Sequence, residues 1–169
     1  MGAMAKVTAK AKTKPTAKTP AQVAAQLDGF IAKFSPEVAA IARAALPKMR
    51  AHFRGTRELV YDNYNALAIG WSPTGRTSDV ICSLALYPRW VSLFFFRGTS
   101  LRDPDRRLAG AGKMTRHVVL ERGAATLAEP AIRALIAQAI EASPVAATGT
   151  KRPETVIVSI SPNQRPRRV

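Results

Sequence analysis

The stretch from Val80 to Phe96 constrains the fold more than any other part of the chain. Two runs of alternating, strand-forming residues, Val80 to Leu86 and Trp90 to Phe96, meet at a turn at Pro88-Arg89. Side chains two apart in a strand share a face. Val80, Cys82, Leu84 and Leu86 therefore line one face of the first run, and Val91, Leu93 and Phe95 line one face of the second. Phe94 and Phe96 point the other way. The second strand is thus apolar on both sides, so either both faces are covered or one meets a partner. A helix over this region is excluded, because the apolar period is two and not 3.6.

Further strands are expected at Glu58 to Tyr61, Ala66 to Trp71, Arg116 to Leu120 and Thr155 to Ile160. Asp62, Asn63 and Asn65 supply turn chemistry between the first two, and Pro73-Thr74-Gly75 marks the next turn. Helical periodicity brackets these strands. Thr19, Pro20 and Gln22 form the signature of a capped helix start, followed by Val23, Leu27, Phe30, Ile31 and Phe34 on one face. Ser35-Pro36-Glu37 restarts a second helix with Val38, Ile41, Ala45, Met49 and Phe53 on its stripe. Pro47 is expected to kink or break it near Leu46, and Gly55 to end it. Pro130 to Ala142 is a third helix, with Ile132, Leu135, Ile136, Ala139 and Ile140 facing inward. Asp105 to Ala109 has the look of a short helix inside the loop from Gly98 to Lys113. The expected fold class is α+β: a mainly antiparallel sheet of five to six strands, with two N-terminal helices and one C-terminal helix packed on it.

One α+β domain is expected over residues 19–162, with a basic tail at 163–169. Residues 1–18 read as a disordered head: lysines recur with almost no large apolar side chain, so too little surface can be buried to offset ordering entropy. Met1-Gly2-Ala3 ahead of Met4 reads as a cloning scar. No window approaches 18 consecutive apolar residues, and the start lacks a secretory core, so no membrane span and a cytoplasmic location are expected, nucleoid-associated if the ligand is DNA. Cys82 is the sole cysteine and sits in an apolar run, which implies a buried structural thiol and no internal disulfide.

Charge narrows the function classes. Lysine plus arginine number 26 against 11 acids, a net +15. The excess is +5 in residues 1–20, +6 in 21–150 and +4 in 151–169. Such a field attracts polyanions. The candidate tail contacts are Lys6, Lys10, Lys12, Lys14 and Lys18 at one end and Arg165, Arg167 and Arg168 at the other. A second basic concentration falls in the 97–117 loop: Arg97, Arg102, Arg106, Arg107, Lys113, Arg116 and His117, with Gly110 and Gly112 as a turn able to expose backbone N–H groups. If the short helix forms, Arg102, Arg106 and Arg107 share one side of it as bidentate donors, with Asp103 and Asp105 interleaved. The alternative is local ion pairing that merely shapes the loop. Tyr61 to Asn65, with Trp71 and Trp90 in the hairpins, could stack bases or a planar ligand, or could pair across strands in an ordinary sheet.

Enzymatic constellations are missing from the sequence. Gly110-Ala111-Gly112-Lys113 is not a nucleotide-hydrolysing loop, because Arg107 stands where a glycine is needed and Met114 where a Ser or Thr is needed. His52 and His117 lie 65 positions apart with no cysteine near either, which argues against a metal pair. Glu58 and Asp62 are expected to split between strand and turn. No cofactor and no metal are expected.

The phrases ELVYDNYNALAIGWSP, LALYPRWVSLFFFRG, LRDPDRRLAGAGKMTRHVVL and PAIRALIAQAI, with the closing IVSISPNQRPRR, together resemble the DUF1801, or YdhG-like, family over about Gln22 to Arg168. The resemblance implies a YdhG-like α+β domain of largely unassigned function. Some of its relatives resemble frataxin and are described as iron-chaperone-like. The lysine-rich head lies outside the family pattern. The leading expectation is a non-enzymatic basic module that engages a polyanion such as nucleic acid without sequence preference. The alternatives are a frataxin-like iron-handling chaperone, and a small-molecule-binding or homodimeric scaffold using the apolar face near Phe94 and Phe96. Hard cations want clustered oxygen ligands, and the ten acids spread over residues 21–150 do not supply them.

Overall fold

The computed structural model describes residues 16–169. The part of the head that carries Lys6, Lys10, Lys12 and Lys14 lies outside the described residues, and so does most of the expected disordered segment. The architecture is α+β: a six-stranded mixed sheet with helices at both ends of the chain. The chain order is α1 (Pro20–Ile31), α2 (Pro36–His52), β1 (Arg57–Asp62), β2 (Leu67–Ser72), β3 (Cys82–Leu86), β4 (Val91–Phe95), β5 (Arg116–Val119), α3 (Pro130–Glu141) and β6 (Glu154–Ile160). The sheet runs β5-β4-β3-β2-β1-β6. Neighbours from β1 to β5 pair antiparallel, whereas β6 joins β1 in parallel after the crossover through α3.

The helix starts follow from local chemistry. The Gln22 N–H donates to Thr19 Oγ1 at 3.2 Å and the Thr19 N–H donates to Gln22 Oε1 at 2.9 Å, a reciprocal capping box ahead of Pro20. Ser35 caps α2 by accepting from the Val38 N–H at 3.3 Å. Pro47, expected to kink or break the helix, does not break it: α2 runs unbroken from Pro36 to His52. Pro47 and Arg43, whose carbonyl loses its partner, both lie on the exposed side. Ala42, Ala45, Leu46 and Met49 bury one continuous stripe across the proline, and that packing favours a helix that continues through it. Gly55 follows α2 at φ +75, where an added Cβ would stand 2.6 Å from the Thr148 carbonyl oxygen.

One face of the sheet carries the core. Leu67, Ile69, Trp71, Cys82, Leu84, Leu86, Leu93 and Phe95 join Leu27, Ile31, Phe34, Met49, Ile132 and Ile136 from the helices in a single cluster. Phe53 and Trp71 stack at its centre, with ring centroids 5.3 Å apart. Cys82 is fully buried there, and burial pushes its thiol pKa far up. The opposite face carries Ala68, Gly70, Ser83, Ala85, Ser92, Phe94 and His117, as the strand registers require. The 73–81 loop folds over one end of it: an added Cβ at Gly70 would meet Val80 Cγ1 at 2.9 Å, and Tyr61 hydrogen-bonds Thr77. None of the described helices is long and apolar enough to cross a membrane.

Candidate functional site

The basic loop does not form the arginine cluster that the sequence suggests. No helix forms over Asp105 to Ala109. Asp103 accepts the backbone N–H groups of Arg107 at 2.9 Å and Leu108 at 2.8 Å, so its carboxylate satisfies donors that a helix would otherwise satisfy. Arg106 is consequently turned to φ +53. The side chains then separate. Arg107 is ion-paired with Glu129, which Arg122 also approaches at 3.7 Å. Gln138 on α3 brackets the Arg102 backbone, accepting its N–H at 2.9 Å and donating to its carbonyl at 3.0 Å. Arg116 folds over its own turn and donates to the carbonyls of Gly112 and Thr115. The ion-pairing alternative thus holds for Arg107, while Arg97, Arg102, Arg106 and Lys113 are exposed with no acidic partner among the described residues. Gly110, at φ +116, sets the 110–115 turn against the sheet edge, where an added Cβ would lie 3.4 Å from His117 Nδ1 and 3.7 Å from Arg116 Cδ.

The C-terminal segment is a strap, not a free tail. The Arg165 N–H donates to the Tyr64 carbonyl at 2.9 Å, and its guanidinium lies 5.7 Å from the centre of the Tyr64 ring. Arg167 is buried: its Nη2 donates to Asp62 Oδ1 at 2.9 Å and to the Asn63 carbonyl, and its guanidinium lies 5.3 Å from the Phe34 ring centre. Arg168 donates to the carbonyls of Ala32 at 3.0 Å and Lys33 at 3.2 Å, just past the end of α1. Arg167 is therefore unavailable to any polyanion, a correction to its place among the tail contacts. Arg165 remains exposed, and Lys18, at the other end, is exposed and donates to Gln26.

Asp62 and Glu58, expected on turn and strand, both belong to β1 and are both fully buried on its helix-facing side. Glu58 takes a two-pronged contact from Arg50, Nε and Nη2 each at 2.7 Å, plus donors from Trp71 at 3.2 Å and Thr155 at 2.9 Å. Asp62 accepts from Lys33 at 2.7 Å as well as from Arg167. Burial raises the Asp62 pKa, but the hydrogen bonds from Lys33, Gln164 and Arg167 together with the Lys33 charge outweigh it and hold the carboxyl below its ordinary value. Both acids are fully buried and each is paired with a cation of the fold.

The open site lies on the uncovered sheet face. A groove of about 1060 Å³ runs there. Its floor is Ala68, Ser83 and Ala85, and its walls include Tyr64, Tyr87, Trp90, Phe94 and Phe96, closed at one side by Arg165, Pro166 and Val169 of the strap. The three exposed aromatic residues among the large apolar ones, Tyr64 at 49 %, Trp90 at 44 % and Phe96 at 36 %, all line it. Two ring pairs give it shape: Tyr87 stacks on Trp90 with centroids 5.0 Å apart, and Phe94 stacks on His117 at 5.1 Å. The alternation of Trp90, Ser92, Phe94 and Phe96 was the readable signal for it. Of the other aromatic candidates, Trp71 belongs to the core and Tyr61 is tied to the 73–81 loop. No protein-family model, no curated protein and no solved structure matches this chain.

Proposed function

We propose that this protein is a non-enzymatic binding module that holds nucleic acid through its phosphates, without sequence preference. The observation that supports this most is how the acids are placed. The described residues hold 22 bases and 11 acids. Six of those acids, Asp28, Glu58, Asp62, Asp79, Glu129 and Glu154, stand in ion pairs, two of them fully buried. Arg89, Arg97, Arg102, Arg106, Lys113, Arg133, Lys151 and Arg152 have no acidic partner among the described residues and are exposed. The cations left without an acidic partner therefore outnumber the acids left unpaired, and a polyanion can approach them against little local repulsion.

A frataxin-like metal-handling role has less to rest on. Among the described residues no three His, Cys, Asp or Glu side chains gather as a metal site. Binding of a labelled 20-base-pair duplex, followed by anisotropy across salt, tests the proposal. With about five phosphate contacts, log K should fall against log salt with a slope of about −4 to −5, at roughly 0.9 per contact. Loss of the first 18 residues, which carry five lysines, should flatten the slope. No detectable binding at about 50 mM salt would overturn the proposal, since affinity for phosphates is greatest when salt is low.

A further inference from the structure

We infer that the groove on the uncovered sheet face is a stacking platform for the unpaired bases of a single-stranded nucleic acid, an inference that rests on the polyanion reading above and names the ligand class of one site. The spacing comes from β4 and its flanks. Trp90, Phe94 and Phe96 lie on the open side at even positions of one strand line. At about 3.3 Å per residue, neighbouring even positions are roughly 6.6 Å apart and Trp90 lies roughly 20 Å from Phe96. That length suits a short run of extended nucleotides, about four, at the lower end of single-strand site sizes.

The walls are arranged for flat ligands. Trp90 is backed by Tyr87 at a 23° interplanar angle, and Phe94 by His117 at 30°. A ring held by a second ring does not have to be ordered when a base arrives, so less entropy is lost on binding. The floor is built from Ala and Ser side chains, which lets a planar group approach the sheet closely. Cations stand at both ends of the groove. Arg165 sits over Tyr64 on the strap side, and the exposed Lys113 belongs to the turn that adjoins His117, the ring stacked on Phe94. No Asp or Glu lines the groove. Exposed aromatics in an acid-free channel with Arg165 in its wall combine base stacking with backbone neutralisation, and this pairing binds single strands because duplex bases are already stacked on one another. The groove is open along its length, which suits a chain better than an enclosed small molecule.

The test uses the full chain, a twelve-nucleotide oligo-dT and a duplex of equal length. Trp71 is fully buried and Trp90 is exposed, so quenching of solvent-exposed tryptophan emission reports on the groove without any substitution. The inference expects strong quenching by oligo-dT and weak quenching by the duplex. It expects Trp90→Ala to weaken oligo-dT binding about tenfold, within the range for loss of one stacked base, and Trp90→Phe to restore most of it. The salt slope should stay unchanged in both variants, because no charge is removed. Since Trp90 lies outside the buried core, both variants should stay folded at the assay temperature, with Trp90→Ala melting somewhat lower for loss of its stack on Tyr87, and the wild-type quenching stands independently of them. If neither oligo-dT nor duplex binds at about 50 mM salt, the polyanion reading falls and this inference with it. If both bind equally, without quenching and without loss in Trp90→Ala, the stacking platform alone is overturned. A wild-type dimer that becomes monomeric in Trp90→Ala would assign the groove to a second copy of the chain and overturn it also.

Discussion

Replacing Arg167 by alanine should destabilise the fold by about 3 kcal/mol, far more than any other change in the C-terminal segment. Removing one partner of a buried pair leaves an uncompensated charge and typically costs about 3–5 kcal/mol. Arg167 and Asp62 are both buried and 2.9 Å apart, so that range applies. Two features place the effect at its lower end. Lys33 still holds Asp62 at 2.7 Å from a half-exposed position, and the Arg167 Nε has no hydrogen-bond partner, so the pair is imperfect to begin with. Arg165→Ala, by contrast, removes an exposed contact over Tyr64 and should cost about 0.5–1 kcal/mol. Urea denaturation measures both. With an m value of about 2 kcal/mol/M, Arg167→Ala should lower the midpoint by about 1.5 M without changing m. The effect also has a pH signature. The folded Asp62 pKa lies below its unfolded value, so its stabilisation is complete above about pH 4 and is lost as pH falls through the lower folded value. The gap between wild type and Arg167→Ala should therefore be constant from about pH 7 to 5 and close below about pH 4. A variant within about 0.5 kcal/mol of wild type, or a gap that persists unchanged to about pH 2, would refute a docked strap.

Arg50→Ala should cost about 3–5 kcal/mol, because it strands the fully buried Glu58, whereas Arg50→Met combined with Glu58→Leu should recover most of that loss in the same denaturation assay. An equal loss in the double variant would show that the Glu58 carboxylate contributes through its own attractions, to Arg50 and to the Trp71 and Thr155 donors. Cys82 is fully buried with its thiol pKa pushed up, so a thiol reagent at about pH 8 should label it only after unfolding in urea, and rapid labelling of the native protein would contradict the packing at β3.

Features decided within a few residues were readable from the sequence. The period-two hairpin from Cys82 to Phe95, the capping box at Thr19 and the helical stripe of α3 took the positions their local pattern required, whereas Val80, expected on the core face beside Cys82, lies in the 73–81 loop and packs over Gly70 on the opposite face. The departures share a different origin. Pro47 is a helix breaker locally, but the stripe around it is held by tertiary packing. Asp103 and the bases after it allow a short helix by spacing, and the loop instead closes on the Asp103 carboxylate. The ion pairs of β1 were invisible because Asp62 meets a lysine 29 and an arginine 105 positions away, and because Glu58 meets Arg50 across the turn between α2 and β1, a pairing that no helical or strand spacing announces. The one legible hint was the even spacing of Glu58, Val60 and Asp62, which puts both acids on the side of an apolar residue that is fully buried.

The placement of the acids also explains why the two faces of the sheet differ in kind. On the helix-covered face, Glu58 and Asp62 each consume at least one cation that would otherwise stand at the surface, and Asp62 consumes two. Those pairs stitch α1, α2 and the C-terminal strap to β1, so the acids serve the fold where water is excluded. On the open face no acid lines the groove, and the strap that Asp62 anchors from the other side supplies its Arg165 wall. Anchoring the strap and shaping the groove are therefore coupled through one segment of eight residues, from Asp62 at the end of β1 to Ile69 in β2, in which Tyr64 receives the Arg165 backbone. If the strap is released, as in Arg167→Ala, the groove should lose a wall and a cation together. Oligo-dT binding should then weaken in that variant even under conditions where it remains fully folded, while Arg50→Ala, at least as destabilising but remote from the groove, should leave binding by the folded molecules unchanged.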